Sequence, residues 1–148
     1  MATISGGDKM DAALAAIAAR LKKGGLLKVG FLEGAKYPNG TSVALVAAVQ
    51  NFGAPARGIP PRPFFSNMVQ DKSPTWAPAL AGLLKSTGYD VEAALQMMGE
   101  GIKGQLQQSI RDTNAPPLSP LTIERKGFDK PLIDTGHMIN SVDYEVTA

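Results

Sequence analysis

The chain has 148 residues, 44% of them hydrophobic and 19% charged, with a formal charge of +2. That length suits one domain with a genuine core, the composition excludes a chain disordered throughout, and so small a charge gives no reason of its own to expect a nucleic-acid binder. With no cysteine and a single histidine, His137, one chain cannot build a disulfide, a thiolate site or a histidine metal cluster.

Residues 8–23 read as an amphipathic helix. Met10, Leu14, Ile17 and Leu21 recur at steps of four, three and four and share one stripe. Asp8 and Asp11 stand at its start and Arg20, Lys22 and Lys23 at its end, which suits the helix dipole; Gly24-Gly25 supplies the stop. Residues 26–33 read as a strand with Leu27, Val29 and Phe31 on one face. Gly34 to Gly40 is a loop. Thr41 or Ser42 caps a second helix through about Asn51, whose apolar positions Val43, Leu45, Val46, Val49 and Phe52 are too dense for a surface helix. One side is expected to face the core and the surplus another subunit.

Gly53 to Pro63 carries four prolines and two glycines and reads as a loop. Pro63 is expected to open a short helix bearing Phe64, Phe65, Met68 and Val69, and Ser73-Pro74 a separate one bearing Trp76, Leu80, Leu83 and Leu84. Asp90 caps the longest helix, to about Asp112, with Val91, Leu95, Met98, Ile102, Leu106 and Ile110 on its buried stripe. Gly99, Gly101 and Gly104 interrupt it, implying a close neighbour or a bend. Beyond Asn114 to Pro117, Ser119-Pro120 starts a short helix over 121–126. Asp134 or Thr135 caps a last one to about Ser141. Residues 142–147 alternate as a half-buried strand, which must pair with 26–33 or lie at an edge. The expected class is α+β: a helix-rich single domain, 1–148, with a long central helix and a small, mostly antiparallel sheet.

Candidate chemistry is sparse. Asp134-Thr135-Gly136 after Leu132-Ile133 resembles the triplet of retroviral-type aspartic proteases, in which two subunits each supply one aspartate. That enzyme sets its triplet among strands, and this chain is mostly helical, so a capping turn is the reading adopted. His137 has Ser141 one turn away but no third member for a nucleophile–base pair. Pro60-Pro61-Arg62-Pro63 contains a PxxP, read here as a rigid arm positioning Phe64 and Phe65. The basic residues are spread as on a solvated surface. No membrane span or export signal is visible, so a soluble protein assembled in the cytoplasm is expected.

Two segments together carry a resemblance. One is Val43 to Phe65, with Gln50-Asn51-Phe52-Gly53 and Ile59-Pro60-Pro61-Arg62-Pro63-Phe64-Phe65. The other is Leu118-Ser119-Pro120-Leu121-Thr122, Arg125-Lys126-Gly127, Lys130 to Gly136, His137-Met138, Asn140-Ser141-Val142 and Tyr144. In that order they resemble the tail-completion, or neck and minor-tail, proteins of long-tailed bacteriophages, near the Mu-type virion morphogenesis proteins. The resemblance implies a structural virion protein, not an enzyme, that joins or completes the tail at the head–tail interface. It implies a homo-oligomeric ring, assembled in the host cytoplasm, touching the connector or stopper, the tail terminator and the tail tube, in proximity to genomic DNA. No cofactor, metal or membrane is implied. The alternatives are a tail terminator capping the tube and the aspartic protease above. Ile59, Pro60, Arg62, Pro63 and Phe64 take a structural or interface role, joined by Tyr37 and Phe52. The loops at about 34–41 and 53–63 are expected to be flexible and to reach neighbouring subunits or the next ring.

Overall fold

In the computed structural model, which describes residues 7–113 and 136–147, the chain runs α1 (Gly7–Lys22), β1 (Leu26–Phe31), α2 (Val43–Phe52), a 3-10 turn (Pro55–Arg57), α3 (Phe64–Ser86), α4 (Val91–Asp112), α5 (His137–Asn140) and β2 (Val142–Thr147). This is a helix-rich α+β domain with a small antiparallel sheet. The helix expected over 121–126, the loops beside it and Asp134-Thr135 lie outside the described residues.

The Asp90 carboxylate accepts the Ala93 amide at 3.1 Å and so answers one of the unpaired donors at the start of α4. From there Leu95, Met98, Ile102, Leu106 and Ile110 are buried as their spacing requires. Strands β1 and β2 pair from Leu26–Thr147 to Phe31–Val142, so residues 142–147 do find 26–31. Leu27, Val29 and Phe31 stand opposite Val146, Tyr144 and Val142, and both strands pack against α4. Gly99 explains how they fit. A Cβ there would lie 2.7 and 2.9 Å from Cγ and Cε2 of Tyr144, so the helix needs a hydrogen at this position to admit the ring. The close neighbour is a side chain, and it concerns one glycine of the three: Gly101 and Gly104 face open space. Desolvation, and then a hydrogen bond to Glu100, hold the Tyr144 phenol above its ordinary pKa.

The separate helices expected around Ser73-Pro74 are one helix. Pro74 and Pro78 both lie inside α3, each removing a rung of the ladder. They stand one turn apart on the exposed side of α3, where carbonyls left without a partner can reach water. On the covered side, Trp76 donates from Nε1 to Gln105 Oε1 of α4 at 2.8 Å, and Ser109 of α4 donates to the Phe64 carbonyl at 2.6 Å. The neighbouring helix thus ties α3 down between the prolines and at its first residue. The turn between them places Gly88 and Tyr89 at positive φ, and Tyr89 closes it by donating its amide to Leu84 O at 2.7 Å.

The core gathers Val43 and Ala47 of α2, Phe64 and Met68 of α3, Leu106 and Ile110 of α4, Met138 and Ile139 of α5, and Val142. Phe64 is its centre, fully buried, with Phe31 and Phe65 edge-on at 6.2 and 6.4 Å. Helix α1 is the exception: it forms over the expected residues, yet buries none of them.

Candidate interaction surface

Two turns of backbone geometry build this region. Ser42 caps α2, accepting the Leu45 amide at 3.3 Å, and Gly53 ends it at φ 76°. Only glycine suits that exit. The conformation is left-handed, and a Cβ would meet Pro61 N at 2.8 Å. The chain then folds back: Ala54 and Ile59 bridge around the Pro55–Arg57 turn, and the Arg62 amide donates to Gln50 O at 2.7 Å. The segment 53–63 is therefore tied at both ends to α2.

Asn51 links this arm to the core. It is buried, and its Oδ1 accepts the amides of Phe65 and Ser66, each at 3.0 Å, while Nδ2 donates to Ser66 Oγ at 2.8 Å. One amide side chain from α2 thus satisfies two of the unpaired donors opening α3, where Pro63 offers no side-chain cap. The sequence reading missed this role. The signal was present: Val43, Ala47 and Asn51 fall at steps of four on the inward stripe, and a polar group there must find partners.

The seven residues expected at an interface separate into three kinds. Phe52 is 73% exposed and Pro60 is exposed; both are available to a partner. Ile59, Pro63 and Tyr37 are half-buried. Phe64 and Arg62 are corrections. Phe64 has no accessible surface because it is the core aromatic, and Arg62 keeps only 8% because its backbone is pinned to α2. Burial pushes the Arg62 guanidinium below its ordinary pKa, and Nη1 donates to Gln50 Oε1 at 3.4 Å. The PxxP segment thus runs from the α2 hydrogen bond into Phe64 and Phe65, in the place read for it. In the loop at 34–41, Tyr37 donates its amide to Thr41 O at 2.8 Å, and its ring lies 4.8 Å from that of His137.

Beside Phe52 lies an apolar groove of about 530 Å³ between β1 and α2. Val29 and Phe31 line one wall, Ala44 and Ala48 the other, and Phe65 is exposed to it from α3. On the outer side of α2, Leu45 is 60% exposed. A groove with large exposed apolar residues around it is the kind of surface that a binding partner covers.

Two of the residues considered for catalysis, His137 and Ser141, hydrogen-bond to backbone carbonyls. His137 Nε2 lies 2.7 Å from the Lys36 carbonyl, an acceptor, so this nitrogen carries the proton. Ser141 donates its hydroxyl to the His137 carbonyl at 2.7 Å and not to the ring. Gly136, at φ 73°, is the N-cap of α5 in the left-handed region and has no side chain to bond its first amides. Among the described residues no group of three or more His, Asp or Glu side chains could hold a metal, and no helix is long and apolar enough to cross a membrane. Comparison of the chain with protein-family models, with curated proteins and with solved structures finds no match.

Proposed function

We propose that this chain is a structural protein of a long-tailed phage virion, joining or completing the tail at the head–tail interface by protein–protein contacts. The ordered motifs around Gln50 to Phe65 and Leu118 to Tyr144 support the family. The single structural observation that supports a binding role is the groove between β1 and α2, with Phe52 and Leu45 exposed beside it. Leaving such residues in water forgoes about 1.5–3 kcal/mol for each large apolar side chain, which a partner recovers by covering them.

The mechanism is assembly by fit. Asn51 and Gly53 fix the angle at which α2 gives way to the arm, and the arm presents Pro60 and Ile59 beside Phe52. Chemistry on a substrate is not required of any of these side chains. Deleting the gene from its phage is expected to leave filled heads and tails unjoined, with joining restored by adding purified protein. Normally joined particles that lack the chain would refute the role.

A further inference from the structure

A second apolar surface lies far from the groove in chain order. Helix α1 presents Met10, Leu14 and Leu21 at 66%, 57% and 41% exposure, with Ile17 half-buried between them. Its link to the body is slight: Gly24-Gly25 leads into β1, and Arg20 donates to the Gly88 carbonyl at 2.6 Å. A helix that buries nothing has little tertiary support, and sixteen residues are marginal for an isolated helix in water. Its stripe needs an occupant.

We infer that the α1 stripe of one copy seats in the groove between β1 and α2 of the next copy. The dimensions match. Met10 to Leu21 spans about 16 Å at ~1.5 Å per residue, and the α2 wall of ten residues is about 15 Å long. Ala44 and Ala48 present small side chains on that wall, so a helix can approach it closely, and Phe52 lines the same groove. The charges are also complementary. The groove is lined by Lys28, Glu33 and Glu145, with Lys28 and Glu145 opposite each other across the sheet, so its surplus charge is the acid at Glu33; α1 carries Asp8, Lys9 and Asp11 at one end and Arg20 and Lys22 at the other. Seated with its basic end by Glu33, the helix sets opposite charges together.

The donor and the acceptor are different patches of one chain, so each copy uses both. Such a contact propagates head to tail and closes into a ring when the rotation permits. This deepens the reading proposed above by naming the contact that would build the ring, and it rests on that reading only for the ring's purpose. A chain absent from purified virions but assembling in solution would sink the virion role and leave the contact. A chain found in virions but monomeric at every concentration would sink the contact alone.

The test uses the full chain in sedimentation velocity over a concentration series. One variant, L14E/I17E, spoils the helix stripe; another, A48E/F52E, spoils the groove. All four positions are exposed or half-buried, and circular dichroism checks that both variants keep the fold. Wild type is expected to assemble beyond a dimer, and each variant alone to sediment as a monomer. Mixed one to one, the variants are expected to form a heterodimer and nothing larger, because one good stripe meets one good groove. The inference is overturned if the groove variant assembles like wild type, which would mean that α1 pairs with another α1. It is equally overturned if the mixture stays monomeric, or if wild type does.

Discussion

Helices α1 and α4 carry the same signal and meet opposite fates. Both set large apolar residues at steps of three and four, and both place acids early and bases late. On α4 the stripe disappears under α3, β1 and β2. On α1 it remains in water. Periodicity therefore specifies which face of a helix is sticky, and says nothing about whether its own chain supplies the cover. A capped helix between two packed elements is finished within the monomer. A helix on a two-glycine tether is finished only by something else.

The sharpest way to break the contrast is at the centre of the α4 side. Phe64→Ala removes the fully buried aromatic of the core, and a loss of about 3–5 kcal/mol is expected in urea unfolding. A loss under ~1 kcal/mol would mean that the core is not organised around it. Next comes Asn51→Ala, which strands the Phe65 and Ser66 amides. About 1–3 kcal/mol should be lost, and early exchange of those two amides in hydrogen-exchange measurements would locate the damage.

Gly99→Ala probes the fit between α4 and β2. Alanine favours the helix by up to ~1 kcal/mol, but the Tyr144 ring blocks its methyl, and overpacking of this kind costs about 1–3 kcal/mol. Net destabilisation is expected here, whereas the same change at Gly101 or Gly104, where space is open, should stabilise. Tyr144 offers a pH reading of the same contact. The fold favours the protonated phenol, so its contribution is full below the ordinary tyrosine pKa of about 10 and is lost as pH rises through the higher folded value. Tyr144→Phe should flatten the alkaline arm of the stability profile, and an unchanged arm would remove Tyr144 from the account. The smallest effect belongs to the other helix. Leu14→Ala should change the unfolding free energy of dilute monomer by no more than about 0.5 kcal/mol. A larger loss would show that α1 already has a partner in its own chain.

Several elements were legible from residues alone because their signals are local. The Asp90 cap, a cap for α2 at Thr41 or Ser42, the Gly24-Gly25 stop, the α4 stripe and the alternation of residues 142–147 each depend on neighbours within a turn or two. The join between α3's two halves was not legible. Proline penalises a helix locally, and the compensation came from Gln105 and Ser109, some 29 and 45 residues away from their partners. The candidate surface was legible in part. Phe52 stood out as surplus on a dense helix, while Phe64 and Arg62, adjacent in the same motif, turned inward.

The amino-acid order by itself determined where α1, α2 and α4 begin and end, which faces are apolar, and that two short strands alternate. Those properties follow from dihedral preferences and hydrogen bonds spanning a few residues. Tertiary structure alone decided which apolar faces are covered, why Gly99 must lack a side chain, and that one buried asparagine on α2 opens α3. Each of these depends on atoms brought together from distant parts of the chain, and burial is a property of the whole packing.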